Sequence, residues 1–347
     1  MSEIKIVNST STNDPSIQIL YSIYSYLPLL IIATGLSGNI ASFIIFRVDK
    51  ELKYMPTMIF LSFVCITDTM SLFNYNLNHF LNPNFKILIQ DVNIHVCKIF
   101  DFIQYFSLQS SSLLLAVVTI DRYFSVISVP GSFVSKLPFG TVKSSVIWST
   151  IILLFTGSLN FYILILDRRS AYKNQSVILN NQTYTTKVFI YNCAKLFNGF
   201  NIYHNWIAHI ILYPTLPVFI MVIFNSLLIR KTYLIYKKRP VNIDKKRQKS
   251  INSMINITIS LLFITFLFGL SCLPPTIFYN YMYSTFSSSE GLLFFLNVLD
   301  SFNFINRSSM FISCLISNVR FRRVVLKKLR KLKNTSQNSN LSFLSKT

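Results

Sequence analysis

Two ionisable residues stand inside otherwise apolar stretches of this chain: Asp68, within LSFVCITD, and Arg307, within NRSSMFISC. A charge placed in hydrocarbon is costly and marks a functional position by default. A third charged feature, Asp121-Arg122-Tyr123, closes another apolar stretch. An Asp–Arg pair at such a boundary suits a registry or switch role rather than bond-making chemistry. The loops hold too few His and acids for a set of nucleophile, base and orienting group, and no Gly-rich phosphate loop is present. The 4 His are scattered and no CxxC occurs, so no metal site is expected. The sequence therefore points away from an enzyme, and no catalytic residue or cofactor is assigned.

The elements that hold these charges are long and apolar. Of 347 residues, 52% are hydrophobic and 13% charged, with mean hydropathy +0.47. A soluble domain carries about 25% charged residues, so this composition points to lipid as a solvent. Seven stretches are long enough to cross a bilayer, which takes about 20 residues as helix. They are 23–46, 57–80, 94–126, 144–166, 205–229, 251–281 and 291–316. None alternates apolar with polar as a barrel strand would, so all seven are read as helices.

Charge sets the orientation. Of the 33 Lys and Arg, 24 fall at the ends of spans one, three, five and seven or in the segments that follow them. Positive charge stays in the cytoplasm, which puts the N-terminus outside and the C-terminus inside. The formal charge of +21 is then an orientation and lipid-surface signal, and nucleic acid is not an expected partner. Residues 1–22 form an outer segment without the apolar core of a signal peptide, 23–316 the spanning domain, and 317–347 an inner tail. Sequons at Asn8, Asn174 and Asn181 fall outside, where glycans attach. The tail segment NVRFRRVVLKKLRKLK spaces Phe321, Val324, Val325, Leu329 and Leu332 for one helix face, with basic residues between. That pattern predicts an amphipathic helix lying on anionic membrane lipid.

Residues inside the spans carry a resemblance. In chain order they are Gly38-Asn39, Asp68, Cys97, Asp121-Arg122-Tyr123, Trp148, Pro217 and Pro274, the last within FGLSCLPP. Cys97 stands 25 residues before Arg122. This set resembles the rhodopsin-like G-protein-coupled receptors. Asn225, eight residues after Pro217 and followed by small and apolar residues, looks like the invertebrate FMRFamide-type neuropeptide receptors within that family. The chain departs from the family pattern in two places. Span six reads Ser-Cys-Leu-Pro at 271–274 in place of Cys-Trp-x-Pro, and span seven has neither the Pro nor the Tyr of Asn-Pro-x-x-Tyr.

The resemblance implies an all-α, seven-helix bundle in the plasma membrane. Its partners would be an extracellular ligand and a heterotrimeric G protein. Arg122, with Asp121 and Tyr123, would be the coupling switch. Asp68 and Ser111, eleven residues before Arg122, would belong to a sodium and water network with Asn39. Asn303 and Asn306 are alternative partners for it in span seven. The amine-pairing Asp found eighteen residues before that Arg is Gln104 here, so an amine ligand is disfavoured. Asp101, Glu290 and Asp300, with Tyr105, Phe278, Tyr279 and Tyr281, lie near the outer mouth and suit a basic, aromatic peptide. A small-molecule chemoreceptor of the same fold is the alternative. From another class, a transporter or channel would need charges lining a central path.

Of the 5 cysteines, Cys65, Cys272 and Cys314 lie in spans, where a thiol acts as a small hydrophobe. Cys97 and Cys193 both face the oxidising exterior, where a bridge is expected. Arg307 is the only basic residue deep in a span. Asp300, two helical turns away, is about 10 Å distant along the axis. Either Arg307 reaches Asp68, taking the place of the sodium ion, or it faces a water-filled cavity.

Overall fold

The computed structural model describes residues 5–6, 23–50, 52–85, 87–128, 133, 137–165, 170–179, 182–191, 210–237, 245–281 and 290–330. The principal helices are α1 (Leu27–Val48), α2 (Pro56–Phe85), α3 (Ile94–Ile127), α4 (Val142–Asn160), α5 (Leu216–Lys237), α6 (Lys245–Tyr281), α7 (Glu290–Ser308) and α8 (Met310–Ser317). A ninth, α9, covers residues 319–330. Six of the spans are long and apolar enough on their own to cross a membrane. The seventh crossing is made by α7 and α8 together, interrupted at Ser309.

Local chemistry fixes the ends. Asn93 opens α3, its side chain accepting from the His95 N–H at 2.7 Å. Thr141 and Ser144 form a reciprocal capping box at the start of α4. Asn318 closes the turn into α9, its Oδ1 accepting from the N–H groups of Arg320 and Phe321. Helix α5 runs on to Lys237, past the apolar stretch that ended at 229. Lys, Arg and Tyr in that extension are acceptable helix formers, so the backbone stays helical beyond the apolar window. Just before α5, residues 210–215 form a wider helical turn that carries Tyr213.

The break in the seventh span has an evident cause despite the absence of Pro. Ser308-Ser309 is a pair of small residues of the kind that kinks helices. The Ser309 N–H and hydroxyl both donate to the Asn306 carbonyl, at 3.1 and 2.7 Å. Asn39 of α1 donates its amide to the backbone carbonyl of Arg307 at 3.3 Å. The break packs tightly on α1: a Cβ added at Gly35 would lie 2.8 Å from Ser308 Cβ and 2.4 Å from Leu72 Cδ1.

Large apolar side chains such as Leu30, Leu154, Phe219 and Phe266 are more than 60% exposed on the outside of the bundle. That face suits lipid. The main buried cluster includes Phe46, Phe60, Leu114 and Val118 together with Phe321, Val324 and Val325 of α9. The Phe321 ring packs 5.4 Å from that of Phe46. Thus α9 docks one face on the bundle and leaves Leu326 and Leu329 exposed.

A β-hairpin lies outside the bundle, in the outer loop to which the sequence reading gave no element. Strands β2 (Ser170–Leu179) and β3 (Gln182–Tyr191) pair antiparallel, and β1 (Lys5–Ile6) adds to the edge of β2. Asn174 lies in β2 opposite Lys187. Asn8, Asn181 and Cys193 lie outside the described residues.

Candidate functional site

The interior charges meet. Asp68 lies about 18 Å along α2 from its inner start, at 1.5 Å per residue. Arg307 sits at the last turn of α7 before the break. The Arg307 Nη1 donates to Asp68 Oδ1 at 2.7 Å, and Ser111 of α3 donates to the same oxygen at 2.6 Å. The two residues are 2% and 5% exposed, and Arg307 reaches Asp68 directly, while its buried Nε has no partner among the described residues. A planar guanidinium has donors to spare, and a second one is used here. Nη2 donates to the Tyr213 hydroxyl at 2.9 Å. The charge also lies 5.3 Å from the centre of the Tyr213 ring and 5.9 Å from that of Phe268, both within cation–π range.

Tyr213 carries the network further. Asn303 Nδ2 donates to its hydroxyl at 3.1 Å. The Cys272 thiol of α6 donates to Asn303 Oδ1 at 3.0 Å. One connected set of polar groups therefore joins α2, α3, the turn before α5, α6 and α7. Asn39 ties α1 to it through the Arg307 carbonyl. Asn303 is buried in this set, whereas Asn306 is half-buried and offers its backbone carbonyl to Ser309. Tyr213 and Phe268 were not singled out in the sequence, and Cys272 was read there only as a small hydrophobe. Aromatic and thiol side chains are ordinary in apolar spans, and only a search for partners to Arg307 would have drawn attention to them.

A second polar junction joins α3 to α4 at mid-depth. Asn160 donates to Gln109 Oε1 at 2.7 Å, and the Ser110 and Thr156 hydroxyls lie 2.6 Å apart.

At the inner end of α3, Arg122 Nη2 lies 2.6 Å from Asp121 Oδ2. Asp121 is fully buried, while the Arg122 side chain is 14% exposed. The other Asp121 oxygen accepts the Gly140 N–H at 2.6 Å. Gly140 has φ +75°, a left-handed conformation that favours glycine. Beside it, the Phe139 ring stacks between Phe124 at 4.9 Å and Trp148 at 5.8 Å, and the Trp148 indole donates to the Pro138 carbonyl. One carboxylate thus holds both Arg122 and the Gly140 backbone of the loop before α4. Tyr123 packs edge-on against Phe224 of α5.

At the outer side, Asp101, Gln104 and Tyr105 of α3 and Asp300 of α7 are half-buried. Phe278 of α6 meets Phe295 of α7 edge-on at 5.4 Å. The side chains of Tyr279, Tyr281 and Glu290 lie outside the described residues. Cys97 is fully buried at the start of α3, and the free cysteines among the described residues are Cys65, Cys272 and Cys314. The described residues contain no group of His, Cys, Asp and Glu able to hold a metal ion.

The family model "7 transmembrane receptor (rhodopsin family)" matches residues 38–268, well over half of the chain. The chain belongs to the rhodopsin family of seven-transmembrane receptors. It is a multi-pass membrane receptor of the G-protein-coupled class, and this family signals without enzymatic chemistry. A comparison with curated proteins gives no match. The matched segment takes in Asp68, Ser111 and Asp121-Arg122-Tyr123 and ends at Phe268, before the two divergent stretches of spans six and seven. Arg307 therefore lies beyond the matched segment.

Proposed function

We propose that this receptor binds a peptide at its outer mouth and activates a heterotrimeric G protein at the plasma membrane. The observation that carries the coupling half is the state of Arg122. Its guanidinium sits at the inner end of α3, held by a buried carboxylate, with its side chain partly open to the inner face. Ligand-driven rearrangement of the helices would free it to meet the partner, as a shift between two populated states. The basic residues at the inner ends of α5 and α6 and those of α9 suit an acidic or lipid-anchored partner.

Two features support a peptide. Acids and aromatics at the outer ends of α3, α6 and α7 match a basic, aromatic ligand. Strand β3 also ends its sheet with ten residues, an edge to which an extended peptide can add backbone hydrogen bonds. Asn225, whose amide donates to Thr265 of α6 at 2.7 Å, is the residue behind the likeness to FMRFamide-type receptors.

The test is expression in cells with calcium and cyclic-nucleotide readouts, screened against amidated peptides and, in parallel, small-molecule chemosensory ligands. A peptide agonist is expected; response only to small molecules would reject the peptide reading. With an agonist in hand, Arg122→Ala should keep binding and lose G-protein activation. Unchanged activation in that variant would reject the switch.

A further inference from the structure

A carboxylate at mid-span must be neutralised by a proton, a mobile cation or a fixed positive side chain. In this receptor the third is in place. Arg307 Nη1 is 2.7 Å from Asp68 Oδ1, the same oxygen already accepts from Ser111, and both charged side chains are more than nine-tenths buried. A hard monovalent cation would need oxygen ligands at this carboxylate, and the guanidinium both fills the approach and repels it.

We propose that Arg307 is the resident cation of the bundle interior: it makes the Asp68 site independent of free sodium and fastens α2, α3, α5, α6 and α7 in the resting arrangement. The fastening follows from the fork. Nη1 serves Asp68, Nη2 serves Tyr213, and the Tyr213 hydroxyl is shared with Asn303. A rearrangement that parts α7 from α2 or from the Tyr213 turn has to separate a buried charge from its partner. The helices that carry these groups are thereby coupled through one side chain. The inference rests on the interior geometry and on membership of the receptor family, and is independent of the peptide reading.

The fork also predicts that Lys is an incomplete substitute. A single ammonium can pair with Asp68, but it lacks the rigid second arm that reaches Tyr213.

The experiment is thermal unfolding of the purified full-length receptor in sodium chloride and in N-methylglucamine chloride at equal ionic strength. The wild-type Tm is expected to be the same in both salts. Arg307→Ser, which opens space beside a carboxylate left without its partner, is expected to gain sodium dependence, with Tm higher in sodium by about 2 °C or more. A sodium-dependent wild type, or a folded Arg307→Ser that ignores sodium, overturns the proposal. Should Arg307→Ser fail to fold, Asp68→Asn/Arg307→Met decides. It removes both charges, so it should fold better than Asp68→Asn alone and be blind to sodium; a double variant no better than that single one overturns the proposal. Arg307→Lys should keep the sodium-blind behaviour and lower Tm, which a side chain acting only as filler would not separate.

Discussion

Arg307 and Asp68 are 239 positions apart in the chain and 2.7 Å apart in the bundle, with Arg307 donating to the carboxylate. Each explains the other. Asp68 gives the guanidinium a reason to be inside the membrane, and the guanidinium gives Asp68 a fixed partner at hydrogen-bond distance. Truncating one member of such a pair costs more than the pair contributes, because the survivor is left charged and alone.

Tyr213→Phe isolates the second arm of the fork. It leaves the aromatic ring beside Arg307 and removes the acceptor for Nη2 together with the partner of Asn303. The expected loss is about 1–3 kcal/mol, the cost of leaving a buried donor unsatisfied. In thermal melts this variant should fall between wild type and Asp68→Asn. A melt equal to wild type would mean that the Tyr213 contact adds nothing.

Gly35 and Gly38 should respond differently to Ala. At Gly35 an added Cβ meets Ser308 Cβ at 2.8 Å and Leu72 Cδ1 at 2.4 Å, so α1 or the break in the seventh span must move. At Gly38 the nearest atom, Phe311 Cβ, is 3.4 Å away. Gly35→Ala is expected to cost about 1–3 kcal/mol as an overpacked site, and Gly38→Ala much less. Surface expression and Tm check the order; the reverse order would remove the close approach of α1 to Ser308.

Asp121 serves two masters, Arg122 and the Gly140 N–H. Asp121→Asn should weaken both and raise signalling in the absence of ligand. Gly140→Ala should weaken the loop contact alone, because φ is +75° there and an added Cβ would lie 2.6 Å from Ser125 Oγ. G-protein activation without agonist, normalised to surface receptor, separates the two. Basal activity raised by Gly140→Ala and not by Asp121→Asn would place the restraint in the loop rather than in the carboxylate.

The Cys97–Cys193 bridge is a proposal with a direct check. Replacing either residue with Ser should reduce surface expression and ligand binding together. Full binding by the double variant would show that the outer loop needs no bridge.

How much of this was legible in the sequence depended on contrast. Asp68 and Arg307 stood out because a charge in an apolar window has few explanations. Span limits followed from hydropathy to within a few residues for most helices, and erred at the inner ends of α5 and α6, where charged residues extend a helix past the point at which hydropathy ends it. The break at Ser309 was not evident, since it rests on two serines and a distant Asn39 instead of on Pro. Tyr213 gave no signal, and Cys272 was read only as a small hydrophobe in a divergent stretch, because both take their role from partners on α7. The hairpin had a signal that went unread: the strands flank a two-residue Asn180-Asn181 connection, a composition that favours tight hairpin turns.

The most direct measurement of the central claim is a double-mutant cycle on Tm and unfolding free energy with Asp68→Asn, Arg307→Met and the two combined. The account predicts that each single change destabilises by about 3–5 kcal/mol while the double variant recovers much of that loss, leaving a coupling of about 2 kcal/mol or more. Additive losses, with a coupling near zero, would contradict the ion pair as the fastener of the resting bundle.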